Sequence, residues 1–150
     1  MKLAEALSER SDIRNRISQL ESRLQMNARV QEGEKPSEDP EKLLAELNGL
    51  TDRLEYLITH INLTNASTIS DGETLTALLA RRDCLTLRVS AMRSFLNEAS
   101  SLTSRGMRSE IKILSTVNVQ EYRARTDLLS KELRELDVRI QGLNWTTELI

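Results

Sequence analysis

Apolar residues recur along four stretches of this chain at alternating intervals of three and four residues. This spacing places them on one narrow face of an α-helix, while charged residues cover the remaining surface. The pattern predicts helices over about residues 2–30, 40–62, 73–100 and 119–143. The last helix shows it most clearly, with a stripe formed by Val119, Tyr122, Thr126, Leu129, Leu133, Leu136, Ile140 and Leu143.

The three earlier stripes have the same heptad spacing, and each helix adds few apolar residues outside its stripe. Narrow stripes of this kind are typical of coiled-coil hairpins. We therefore predict an all-α fold of four long antiparallel helices, arranged as a helical bundle or as paired coiled-coil hairpins, in one domain over residues 1–150. The earlier stripes comprise Leu3, Ala6, Arg10, Ile13, Ile17, Leu20, Leu24 and Asn27; Leu43, Leu47, Leu50, Leu54, Leu57 and Ile61; and Leu75, Leu78, Arg82, Leu85, Val89, Met92, Leu96 and Ala99.

The connections carry turn and capping signals. Both prolines of the chain lie in residues 31–40, where Asp39 is expected to cap the second helix and Pro40 to occupy its first turn. Asp71-Gly72 is a turn dipeptide. Residues 111–117 are rich in β-branched side chains and predict a short extended segment, which could form a single strand. Gly49 lies beside its stripe and suggests a close approach of two helices.

A narrow apolar stripe leaves a long helix thinly buried within one chain, so we expect a homo-oligomer. A monomeric four-helix bundle is the alternative. The 21 basic and 23 acidic residues interleave and give a formal charge of −2, which offers nucleic acid no basic surface. No stretch is apolar enough to span a membrane. The N-terminus lacks the features of a signal peptide, and Cys84 is the sole cysteine, so we expect a cytoplasmic protein with Cys84 near the core.

Folding the helices at their loops places Ile13 near Leu57, Arg10 near Ile61 and Leu96 near Tyr122. One end of the bundle then collects polar side chains that could hold a small polar ligand, because they supply both donors and acceptors. The alternative is that they cap helix ends. These candidate ligand-binding residues are Arg10, His60, Asn62, Asn65, Asn144 and Trp145.

Arg82 interrupts the third stripe and is expected to form a structural ion pair with Asp137 on the facing helix. The sequence carries no recognisable catalytic motif, phosphate loop or cysteine pair, and His60 is its only histidine. We therefore predict no catalytic, cofactor or metal site, and we expect the acidic loop that contains Glu32, Glu34 and Glu38 to be solvated.

Several short segments resemble an uncharacterised bacterial family that is labelled septicolysin-like. The resemblance spans essentially the whole chain and implies a cytoplasmic bacterial all-α protein without established catalytic residues. The family label implies a pore-forming lysin. The segments are NARVQEGEKP (27–36), EDP (38–40), INLTN (61–65), LARRD (79–83), RSEI (108–111), LRELD (133–137) and NWTT (144–147).

Three functions follow, in order of preference. The first is a self-associating helical scaffold or adaptor without catalytic activity, indicated by the long stripes. The second is a small-ligand binding protein or enzyme that uses the polar cluster at the bundle end. The third is a membrane-active lysin, which is disfavoured because the chain shows no export signal and the outer faces of its helices are expected to be charged.

Overall fold

The computed structural model describes residues 1–102 and 111–150. It contains four long α-helices and one hairpin of two short antiparallel strands, so the predicted all-α fold is confirmed. Residues 108–110 of the quoted RSEI segment lie outside the described residues. The elements are α1 (Leu3–Met26), α2 (Pro40–Ser67), β1 (Ile69–Ser70), β2 (Glu73–Thr74), α3 (Leu75–Ser100) and α4 (Val119–Thr146).

The chain divides into two compact units. Unit 1 comprises Met1–Thr74 together with Leu143–Ile150, and unit 2 comprises Leu75–Gly142. Because α4 passes from unit 2 into unit 1, the units are not consecutive segments of the chain. Their cooperative folding as one domain stays a prediction.

In unit 1, α1 and α2 form an antiparallel hairpin whose register differs from the predicted one. Arg53 Nε donates to Glu9 Oε1 at 2.7 Å, and Arg16 Nη2 lies 3.5 Å from Glu46 Oε1. Ile13 consequently borders the same groove as Leu50. The predicted neighbour, Leu57, is one heptad away, so that register is wrong. A stripe that repeats every seven residues looks the same after a shift of seven, and the loop decides between the registers.

The loop between α1 and α2 is held by a polar residue of the α1 stripe. Asn27 is buried, its Nδ2 donates to the carbonyl oxygen of Arg23 at 2.8 Å, and its Oδ1 accepts from the backbone N–H of Glu38 at 2.9 Å. These bonds end α1 at Met26, four residues earlier than predicted. The predicted cap is confirmed, because Asp39 Oδ1 accepts from the N–H of Glu41 at 3.0 Å and Pro40 begins α2.

The strand hairpin replaces the irregular connection expected after the second helix. Helix α2 continues to Ser67, and Asp71 and Gly72 form the turn between the strands, with φ of 48° and 81°. Two consecutive positive φ angles match the type I′ turn that suits a tight hairpin. Residues 111–118 are neither helical nor stranded. The strand interpretation of 111–117 is therefore wrong, since a lone strand has no partner to share its hydrogen bonds.

In unit 2, α3 and α4 also run antiparallel. Arg93 Nη2 donates to Ser130 Oγ at 3.1 Å, and the rings of Phe95 and Tyr122 lie 5.8 Å apart, close to the predicted meeting of Leu96 with Tyr122. Burial is uneven along this pair of helices. Leu75, Leu78, Leu85, Val89, Leu136 and Ile140 are buried, whereas Met92, Leu96, Leu129 and Leu133 are only half-buried.

The outer face of α3 differs from the charged face that we expected of every helix. Its outward positions carry mainly small, uncharged side chains, all of them exposed: Ala77, Ala80, Cys84, Leu87, Ala91 and Ser94. The expectation that Cys84 lies near the core is wrong, because its thiol is exposed. The neighbouring Leu85 is the buried stripe residue, and a step of one position turns a helical side chain by about 100°.

Candidate functional site

One end of unit 1 is closed by the two termini of the chain. The N–H of Leu3 donates to the carbonyl oxygen of Thr147, and the N–H of Leu149 donates to that of Met1, both at 2.9 Å. Thr64 Oγ1 accepts from the N–H of Ile150 at 3.0 Å. The C-terminal residues therefore cover the place where the predicted polar cluster would lie.

An ion pair reinforces this closure. Lys2 Nζ lies 2.6 Å from Glu148 Oε1, and the terminal ammonium lies 3.2 Å from Glu148 Oε2. The hydrogen bond from Lys2, followed by that from the ammonium, lowers the pKa of Glu148. Glu148 is nevertheless well exposed, so the pair is screened by solvent.

The structure brings five of the six candidate ligand-binding residues to this part of unit 1. The ring of His60 stacks on Tyr56 with 3.8 Å between centroids, and its Nδ1 lies 2.7 Å from the carbonyl oxygen of Tyr56. Asn144 is buried, whereas the Trp145 side chain is 64% exposed. Asn62 is exposed and Asn65 half-buried.

Arg10 is separated from the other five. It follows Glu9, which pairs with Arg53, and so it lies level with Asp52, whereas the predicted register placed it near Ile61. The hydrogen bonds of Thr64 and of the C-terminal residues 147–150 are those expected under the alternative interpretation, in which polar residues at this end cap helix ends. Ligand binding by the remaining residues stays a prediction.

Arg82 forms its ion pair with its neighbour in sequence. Its Nε and Nη2 donate to Asp83 Oδ1 at 3.1 and 2.9 Å. The expected structural pair with Asp137 stays a prediction.

One face of the α1–α2 hairpin is polar, and three ion pairs form on it. Glu9 pairs with Arg53, Arg16 with Glu46, and Arg23 with Glu38. The hydrogen bond from Arg53 lowers the pKa of Glu9, and the one from Arg23 lowers the pKa of Glu38. An open groove of about 560 Å³ lies on this face, lined by Glu9, Asp12, Ile13, Asn15, Arg16, Leu50 and Arg53.

The opposite face of the hairpin is mainly apolar, with Arg10 as a polar stripe residue on α1, and it is incompletely covered. Buried stripe residues recur every seven positions, as Ala6, Ile13 and Leu20 on α1 and Leu43, Leu50 and Leu57 on α2. On each helix, the apolar residues that lie next to these, further round the helix in one direction, are only half-buried. Because the two helices run antiparallel, the half-buried residues of both helices lie on the same face of the hairpin. We call this set the leucine face: Leu7, Ile17, Leu24, Leu47, Leu54, Ile58 and Leu44, which is 41% exposed.

The leucine face is the candidate functional site. The heptad pattern identified four of its members, Ile17, Leu24, Leu47 and Leu54, as stripe residues, and the other three flank the stripes. The pattern did not reveal that one side of the stripe is open, because burial on either side depends on how the two helices are rotated against each other.

The described residues show neither a metal site nor a membrane span. Over 1–102 and 111–150, no group of three or more His, Cys, Asp or Glu side chains is placed to hold a metal ion. In the same part of the chain, no helix is both long and apolar enough to cross a membrane.

Comparison with known proteins assigns the chain to a family. Residues 10–149 match the model of a family of unknown function, DUF6847, and the chain belongs to that family. The fold is similar to that in a crystal structure of a functionally unknown conserved protein from Corynebacterium diphtheriae, with 43% identity and a TM-score of 0.93. The match covers 100% of this chain and 99% of that one. No curated protein matches the chain.

The resemblance to a septicolysin-like family is wrong, because the family model that matches is DUF6847. The motifs that suggested it are short. Some lie at helix ends, where unrelated helical proteins use similar capping and turn residues, and others, such as LARRD and LRELD, lie inside helices. The lysin function loses its only support with that family. Neither the family nor the related structure carries an assigned activity.

Proposed function

We propose that this protein is a self-associating helical scaffold or adaptor without catalytic activity. The observation that carries the proposal is the leucine face, a row of heptad leucines that the hairpin leaves half-covered. Burying apolar surface is the main favourable term in protein association, at about 25 cal/mol per Å². A contiguous apolar strip with a polar rim is typical of an interaction surface.

The contrast between the two faces supports homo-oligomer formation through the leucine face. Three ion pairs link charges of the polar face within the hairpin, so those charges offer a partner little beyond solvated ion pairs. On the leucine face the side chains are arranged at heptad spacing. A second helix with the same spacing can pack into them as a coiled coil.

We further propose that the protein acts in the cytoplasm. The exposed thiol of Cys84 supports this, because a free surface cysteine persists best in a reducing compartment.

Size-exclusion chromatography with light scattering tests the proposed self-association. We expect a mass above that of the 17.1 kDa chain, rising with concentration. Leu44→Glu should shift the protein towards monomer, because it puts a charge on the leucine face. Leu63→Glu is the matched control, since Leu63 is also on α2 and 51% exposed but lies off that face. A strictly monomeric protein at millimolar concentration would refute the proposal.

A further inference from the structure

We propose that a second copy of this chain docks on the leucine face with its α1 antiparallel to α1 of the first copy. In this arrangement Arg14 of each copy pairs with Glu21 of the other. The inference rests on the proposed self-association and adds the occupant, the orientation and the register.

The first argument is the charge pattern at the edge of the leucine face. Arg14 and Glu21 are both exposed there, on the same side of α1 as Ile17. They lie seven residues apart, or about 10.5 Å along the helix, which is too far for them to pair with each other. Within residues 1–102 and 111–150 neither side chain forms an ion pair. Two complementary charges are thus left for a partner.

The order of these charges favours an antiparallel second copy. A twofold axis that passes over the leucine face at the level between Ile17 and Ser18 lies midway between Arg14 and Glu21. It therefore sets Arg14 opposite Glu21 of the second copy, and the same contact occurs twice by symmetry. A parallel copy in register would instead bring like charges together.

The second argument comes from α2 and is independent of the first. Arg16 and Glu46 approach to 3.5 Å, which shows that these positions lie level across the hairpin. An axis perpendicular to the helices at the level of Ile17–Ser18 accordingly meets α2 at the level of Leu44 and Ala45. That position brings Ile17 and Leu44 of both copies next to the axis, so an apolar centre and a charged rim arise from one axis, as in typical interfaces.

A pairing of α1 with α2 of the second copy lacks this complementarity. Because Arg16 and Glu46 lie at the same height along the hairpin, Arg14 lies at the height of Asn48, which carries no charge. Glu21 would lie level with Glu41, a like charge.

Charge reversal measured by sedimentation velocity tests the inference on the full chain. Arg14→Glu and Glu21→Arg should each weaken the dimer about tenfold, because each converts two attractive contacts into repulsive ones. The double variant Arg14→Glu/Glu21→Arg restores opposite charges and should recover the wild-type dissociation constant. Arg123→Glu, at an exposed arginine of α4, is the control and should leave the constant unchanged. Circular dichroism checks that every variant is folded.

The outcomes separate this inference from the proposed function. A dimer that is insensitive to both single reversals, or that the double variant fails to restore, overturns the interface while self-association stands. A wild-type protein that stays monomeric overturns both.

A crosslink supplies a second readout: Ser18→Cys in a Cys84→Ser background should oxidise to a covalent dimer, because Ser18 lies beside the axis. Ser22→Cys should not.

Discussion

Two glycines of unit 1 place opposite demands on the backbone. Gly72 has φ of 81° in the strand hairpin, whereas Gly49 lies in α2, where an added Cβ meets nothing within 4 Å. The inference that Gly49 marks a close helix approach is therefore wrong. The cost of glycine inside a helix is entropic and does not depend on a neighbour.

We expect these glycines to respond to alanine with opposite signs. Gly49→Ala should stabilise the protein by about 0.5–1 kcal/mol, because alanine loses less backbone entropy on folding. Gly72→Ala should destabilise it by about 1–2 kcal/mol, because its Cβ is strained at positive φ. Urea denaturation measures both changes. A destabilising Gly49→Ala would indicate a contact on that face of α2.

The buried leucines of the hairpin should dominate its stability. Leu57 is fully buried, so Leu57→Ala should cost about 2–5 kcal/mol through lost transfer energy and a cavity. Leu63→Ala is the control on the same helix, and it should change the free energy of unfolding by less than about 0.5 kcal/mol. Equal losses in the two variants would contradict the described burial.

At the scale of elements, the loop and its ion pairs decide how α1 meets α2. The stripes permit registers that differ by seven residues, and the bonds among Asn27, Arg23 and Glu38 select one of them. Asn27 therefore acts as a register determinant, a role that its place as a polar interruption of the stripe did not reveal. Polar residues at stripe positions often set register in coiled coils.

The lowered pKa values of Glu9 and Glu38 predict how the hairpin responds to acid. Since the folded pKa lies below the ordinary value of 4.5, each carboxylate stabilises the fold above that pH. The contribution is lost as the pH falls below 4.5 and through the lowered folded pKa. We expect Tm to hold between pH 7 and about 5 and to fall below that. A Glu9→Gln/Glu38→Gln variant should show a shallower fall, and an identical pH profile would mean that the pairs contribute nothing.

At the scale of the whole molecule, burial differs along each unit. Buried apolar residues recur along the full length of the hairpin in unit 1. In unit 2 the apolar stripe residues in the later part of α3 and the earlier part of α4 are only half-buried, although Thr126 and Ser130 are buried there. Local opening is easiest where few apolar side chains are buried.

Hydrogen exchange should follow this difference. We expect amides near Leu20 and Leu57 in unit 1 to exchange slowest, and those over 92–100 and 119–125 in unit 2 to exchange fastest among helical amides. Mass spectrometry of peptic peptides measures this gradient. Uniform protection along all four helices would show that something covers the half-buried residues of unit 2.

Much of this fold follows from interactions within a few residues of the chain. Heptad periodicity predicted four helices, Asp39 and Pro40 predicted a helix start, and Asp71-Gly72 predicted a turn, because each depends on local backbone geometry. The tertiary structure alone decided the register of α1 against α2 and the open side of their stripe. A heptad stripe looks the same after a shift of seven residues, and the residues on its two sides follow similar patterns. Contacts between residues distant in sequence therefore had to choose among arrangements that the pattern itself makes equivalent.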